Sequence, residues 1–309
     1  MKISENMAKD AMEKNVREKY VKAGKILQAA KKRAEKIIKP GTSLLEVAEQ
    51  IEKFIESEGG KPAFPINLSL NNCAAHYTPS ANDKSVFSEK DVVKADIGVH
   101  IDGYAADSAV TIDLSGEFGK MLDASNDALK AALGVAKPGM EVGKIGAEIE
   151  AVIKKAGFNP IQNLTGHSIE QWKVHSSPSI PNVASKDTRK LEAGNVYAIE
   201  PFVTNGEGRV REGVQAEIFG FDDAIAMRNL EARKMIKLIE EKYHTLPFAE
   251  RWIAKELKQG EFTRKVALRE LLKMKAIHAY PMLIERPGAQ VCQAESCFIV
   301  EEKDITMLA

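Results

Sequence analysis

Two stretches of this chain, set 98 residues apart, are built alike. The first opens with a helical pattern whose apolar positions are Val16, Tyr20, Ala23, Ile26, Leu27, Ala30, Ala34 and Ile37, and Lys39-Pro40-Gly41 stops it. A second helix follows from the capping-box pair Ser43 and Glu46, carries Leu44, Leu45, Val47, Ala48, Ile51, Phe54 and Ile55, and ends at Gly59-Gly60. The same grammar returns as a helix over about 123 to 136, then Lys137-Pro138-Gly139, a helix to Lys155, Gly157 and Pro160. Asn67-Leu68-Ser69 likewise recurs as Asn163-Leu164-Thr165. Repeats this long exclude a solenoid, whose periods are shorter. They predict a pseudo-twofold α+β fold in which helices precede strands in each half and a site lies between the halves.

The length suits one large domain over 1–309, or one domain carrying an insertion, and 44% hydrophobic with 28% charged residues excludes a disordered chain. No run of about 18 apolar residues exists, and charged residues stand where a signal peptide would be apolar, so no membrane engagement and a cytoplasmic location are expected. Cys73, Cys292 and Cys297 form no finger spacing and read as buried thiols of a reducing compartment. Residues 225–280 break the repeat as a three-helix insertion with 13 Lys and Arg against 7 Asp and Glu, read as the one uneven charge feature of a neutral chain. It reads first as a solvated helical face and second as a docking surface for ribosomal RNA.

Chemistry enters with Asp96 and Asp107, which flank an Asp102-Gly103 pair of the kind favoured in a two-residue type I′ turn. With that turn, opposed residues sum to 205, so Ile101 faces Tyr104, Val99 faces Ala106 and Gly98 faces Asp107. Period-two alternation then makes Asp96 the diagonal neighbour of Asp107, roughly 7 Å away at Cβ. Both carboxylates reach one ion cluster, and Gly98 is read as leaving room for it.

Three more apolar runs each hold one further ligand: His167 after Asn163-Leu164-Thr165-Gly166, Glu200 in the strand-like run from Val196, and Glu295 in the strand-like run from Gln290. Four ionised carboxylates gathered in a core would repel one another and raise their pKa values. With one neutral imidazole, two divalent ions bring the sum to zero. Carboxylate oxygen with one imidazole accepts Co, Mn, Fe or Zn.

The order Asp96, Asp107, His167, Glu200, Glu295, with His76 upstream and His175 eight residues after His167, resembles the methionine aminopeptidases over nearly the whole chain. The helix-filled gap between Glu200 and Glu295 is similar to type 2. The absence of a long N-terminal extension makes the archaeal form the nearest match. Two departures stand out: Ala294-Glu295-Ser296, where relatives carry a bulkier residue before the glutamate and often a histidine after it, and Asn67, where some have glycine.

The resemblance implies the pita-bread fold with a winged-helix-like insertion, and a metalloaminopeptidase that removes the initiator methionine from nascent chains. It implies that Asp96 chelates one metal, His167 and Glu200 the other, and that Asp107 and Glu295 bridge them around a hydroxide nucleophile. Glu200 would shuttle the proton and His175 would donate to the carbonyl oxygen. His76 would contact the substrate amide, and it corresponds to the histidine alkylated by fumagillin-type epoxides. Phe64, Val174 and Tyr280 would line an apolar pocket for the methionine side chain. A monomer serving nascent N-termini, with the ribosome as a further partner, is the expected state. The alternatives are an Xaa-Pro peptidase of the same fold and a non-catalytic RNA- or ribosome-binding relative. His100, His244 and His278 read as structural residues, His100 beside the turn and in solvent.

Overall fold

The computed structural model describes residues 12–258 and 260–309. Residues 1–11, where the argument against a signal peptide begins, lie outside that range. Among the described residues no helix is long and apolar enough to cross a membrane.

Each half opens with a helix pair: α1 (Lys14–Ile37) and α2 (Leu44–Ser57), then α3 (Gly119–Val135) and α4 (Val142–Lys155). The two linkers match at their glycines. Gly41 and Gly139 both adopt a left-handed φ, +84° and +81°, which only glycine takes without strain. Their N–H groups donate to Phe87 and Leu191 carbonyls at 2.7 and 2.8 Å. The capping residue Ser43 accepts from the Glu46 N–H at 3.4 Å, whereas its counterpart Glu141 makes no side-chain cap.

The first helix pair packs on a four-stranded antiparallel sheet around the hairpin Val92–Ile101 and Tyr104–Asp113. Every register pair of that hairpin sums to 205, including Gly98 with Asp107. Asp102 and Gly103 have φ of +50° and +85°, the geometry a type I′ turn demands. The second pair covers a five-stranded sheet in which Thr165–Glu170, Val196–Ile199 and Ser296–Val300 lie side by side. One apolar core lies beneath the first helix pair and takes in Ile169, Val174, Val196, Ala198 and Ile299 of the second half, another lies beneath the second helix pair, and the sheets meet at a seam.

The region 225–280 holds α5 (Leu230–Lys242), α6 (Glu250–Leu257) and α7 (Glu261–Lys273) around its own apolar cluster. It also contains two short strands, Phe248–Ala249 and Ile277–Tyr280, which pair with Ile218–Phe221 just outside it. Strands of two to four residues are too short to show alternation in sequence.

Three expectations need correction. His100 is 4% exposed rather than in solvent, because Trp172 lies edge-on against its ring at 5.3 Å. Its Nδ1 accepts the Gly103 N–H at 3.0 Å. The insertion is also not the one uneven charge feature, since α1 carries nine Lys and Arg against two Glu. Cys292 and Cys297 are buried thiols, but Cys73 is only half-buried.

Candidate metal centre

Asp96 and Asp107 come from the first half, His167 and Glu200 from the second, and Glu295 from the turn between Val291–Gln293 and Ser296–Val300. All five line one cavity of about 270 Å³ at the seam. The segment from Gln293 to Glu295 stitches the halves together. The Glu295 N–H donates to the Ala109 carbonyl at 3.3 Å, and the Ser108 and Thr111 hydroxyls donate to the Glu295 and Gln293 carbonyls at 2.6 and 2.7 Å. Asp107 is fixed from behind, its N–H directed at Cys297 Sγ at 3.2 Å. Asn182 donates to the Glu200 carbonyl at 3.1 Å.

His167 carries the clearest electrostatic signal. Its Nδ1 lies 3.3 Å from the Ser168 carbonyl, which only accepts, so the ring proton is on Nδ1 and Nε2 presents a lone pair. That lone pair faces Asp107 Oδ2 at 3.8 Å and Glu200 Oε1 at 3.7 Å. Burial pushes the imidazole pKa down to about 4, so protonation does not relieve the clash of lone pairs.

The carboxylates shift the other way. Burial raises Asp96 to about 7. Asp107, Glu200 and Glu295 are raised well above the ordinary range by burial first; the charge of Asp96 comes second for Asp107 and Glu200, and that of Asp107 for Glu295. Asp96 Oδ1 and Asp107 Oδ1 are buried without a hydrogen-bond partner. Donor atoms of Asp107, His167 and Glu295 lie within 4.8 Å of one another. Orphaned oxygens, a bare imidazole nitrogen and excess negative charge around one point are what a divalent cation satisfies.

The remaining predicted residues divide. His76 and His175 line the cavity, with the His175 ring 4.6 Å from that of His167. His76 Nδ1 lies 3.1 Å from the Pro281 carbonyl, so Nδ1 holds the proton and Nε2 is an acceptor. Burial keeps both rings neutral by lowering their pKa values. Phe64 and Tyr280 line the wall. Val174 does not: it is 2% exposed in the apolar core beneath the first helix pair, because strand alternation turns it away from His175. Gly98 makes space for Phe64 and not for an ion, since a Cβ there would sit 2.3 Å from Phe64 Cε1.

Sequence reasoning missed Gln293. Its Nε2 lies 3.4 Å from Asp96 Oδ2, 3.5 Å from Glu200 Oε2 and 3.4 Å from Glu295 Oε2, a neutral donor among three acids. The signal was the two-residue spacing to Glu295. Ile218, Phe202 and Leu283 also complete the apolar wall.

A family model described as metallopeptidase family M24 matches residues 18–219. The methionine aminopeptidase of Pyrococcus horikoshii is 46% identical across 94% of this chain and 98% of its own length. This chain belongs to metallopeptidase family M24. A second M24 relative, the methionine aminopeptidase of Archaeoglobus fulgidus, is 45% identical over 96% of this chain and 99% of its own. Among solved structures, the methionine aminopeptidase of Thermotoga maritima superposes with a TM-score of 0.70 at 22% identity, covering 96% of this chain and 97% of that one. A thermophilic Arx1 reaches 0.82 at 19% identity, covering 97% and 92%. At those identities the likeness shows the fold, the α+β pita-bread architecture that the resemblance implies and with which the duplication agrees. Membership of M24 implies binding of divalent metal, and the donor set at the seam fits it.

Proposed function

We propose that this M24 chain removes the initiator methionine from nascent polypeptides, with two divalent ions held by Asp96, Asp107, His167, Glu200 and Glu295. Relatives named methionine aminopeptidase that align along nearly the whole chain support the substrate and do not favour the Xaa-Pro alternative. The observation that carries the metal reading is the bare Nε2 of His167 aimed at two carboxylates. All five ligands being present argues against a non-catalytic relative. When bound, the ions supply Lewis acidity and lower the pKa of water, so that a nucleophile exists at neutral pH. Co, Mn, Fe and Zn all suit this donor set.

The chain's own groups do the rest. Phe64, Tyr280, Ile218 and Leu283 take the methionine side chain out of water. The acceptor Nε2 of His76 receives the substrate amide N–H. The neutral ring of His175 donates a hydrogen bond to the carbonyl oxygen as charge grows there and keeps its proton, a contact worth roughly 3 kcal/mol. Glu200 takes a proton from water and passes it to the departing amine.

We place this activity in the cytoplasm, on a monomer, where nascent N-termini are found. For the ribosome as partner, α1 is the surface we put forward, beside the insertion. In the insertion, Lys234, Lys237, Lys242, Arg251, Lys255, Arg264 and Lys265 hold acidic partners, while Arg228, Arg233, Lys258, Arg269, Lys273 and Lys275 are exposed with no ion pair among the described residues. On α1, Lys14, Lys22, Lys25, Lys32 and Lys36 are exposed and have no ion pair among the described residues. Ribosome co-sedimentation that weakens steeply with salt, and that Lys→Glu changes on α1 abolish, supports this; indifference to those changes rejects it.

The first test is release of methionine from Met-Ala-Ser after chelation and add-back of Mn²⁺, Fe²⁺, Co²⁺ or Zn²⁺, beside Glu200→Gln. Metal-restored release that Glu200→Gln lacks is the expected result. No release with any ion from folded protein refutes the reading.

A further inference from the structure

His76 holds an uncommon backbone conformation, φ +67°, that a non-glycine residue keeps only where its surroundings dictate it. Those surroundings are supplied by the insertion from two sides. On one side the His76 ring donates to the carbonyl of Pro281, which directly follows the Ile277–Tyr280 strand, and the Tyr280 ring meets it edge-on at 5.6 Å. On the other side stands Arg251 of α6, 1% exposed. Its Nη1 donates to Thr78 Oγ1 at 3.0 Å, and the Pro79 carbonyl is 3.5 Å away. Its Nη2 pairs with Glu52 of α2, which also accepts from Trp252 Nε1 at 3.0 Å. Because a guanidinium only donates, the Thr78 hydroxyl must point its own proton elsewhere, and it does, to the Ile66 carbonyl at 2.8 Å. The chain two residues beyond His76 is therefore held in both direction and register.

A buried ion pair is poor glue, since an apolar pair of like volume often stabilises as well or better. What it supplies that an apolar pair does not is direction. We propose that Arg251 is a positioning residue: acting through Thr78, it holds the left-handed turn that aims His76 Nε2 into the cavity, so that the docked insertion sets substrate recognition. This inference rests on the aminopeptidase reading for the role of His76, but not for its geometry.

Two variants separate positioning from stability. Thr78→Val removes the relay hydroxyl and leaves the Arg251–Glu52 pair intact; Arg251→Met removes both. Arg264→Met breaks a second buried pair of the insertion, with Glu250, and leaves Arg251 and Thr78 unaltered. Two readouts are taken well below the unfolding temperature: kcat and KM on Met-Ala-Ser, and the rate of carbethoxylation of His76 by diethyl pyrocarbonate, located by peptide mass spectrometry. Thr78→Val and Arg251→Met are expected to lower kcat/KM about tenfold or more, chiefly through KM, as a misaimed contact does. Both should speed His76 modification at least threefold, while Arg264→Met lowers Tm and leaves both readouts within twofold. Unchanged kcat/KM and His76 reactivity in Thr78→Val would overturn the proposal, even if Arg251→Met failed to fold. If the unaltered protein releases no methionine, the proposed function fails alone, and His76 reactivity still decides the positioning role.

Discussion

A methyl group at Gly98 would fall 2.3 Å from the edge of the Phe64 ring and 2.6 Å from its Cδ1, inside a packed wall of the cavity. Gly98→Ala is expected to cost about 1–3 kcal/mol and to raise KM for methionine peptides more than it lowers kcat, because Phe64 must give way. Thermal unfolding and steady-state kinetics check both parts; an unaltered KM would show that Phe64 does not bound the substrate. Gln293→Leu removes the amide donor among three carboxylates, and metal affinity should drop about 10–100-fold, read by titrating chelated enzyme with Mn²⁺. Legibility at this scale follows charge and locality. Asp96 and Asp107 could be placed from turn arithmetic, because a hairpin register is local. Gln293 carries no charge and so gave no ligand signal, although its spacing from Glu295 put it on the same face. The burial of His100 depends on Trp172, a residue brought from the other half, and nothing near His100 in the sequence announces it.

At the scale of elements, α2 and α4 are the same helix in two settings. Ser43→Ala removes a cap bond of 3.4 Å and should cost about 0.5–1 kcal/mol, the lower part of the usual range. Glu141→Ala removes no cap and should change Tm little. A larger loss at Glu141 than at Ser43 in parallel thermal scans would contradict this assignment. The helix ends were readable because proline, glycine and the Ser43–Glu46 box act within one turn. The strands of the insertion were not, since two-residue ladders take their identity from the partner strand. α1 shows a different kind of miss: its apolar stripe was read, but its nine basic residues were not counted against their surroundings.

The whole molecule should reveal its metal through pH. The folded carboxylates sit above their ordinary values, Asp96 at about 7 against 3.8, so the metal-free native state binds more protons than the unfolded chain. Its stability therefore falls as pH rises through that window. His100 and His167, both near 4 against 6.5, act oppositely, but only between those values. Above pH 6.5 the histidines drop out, and Lys94, lowered by burial to about 8 against 10.5, opposes the carboxylates only as pH nears 8, so chelated protein should lose Tm between about pH 6.5 and 7.5. Metal-loaded protein should lack that loss; parallel profiles would mean that the cluster is not the metal site. The seam has one more consequence. Asp96 and Asp107 are synthesised early, His167 and Glu200 midway, and Glu295 arrives on the link after Val291–Gln293 that ties both halves together. An interrupted copy of this chain thus holds acids without their closing partner. Only a chain carried through Glu295 holds all five proposed ligands, so a copy interrupted before that residue is expected to release no methionine.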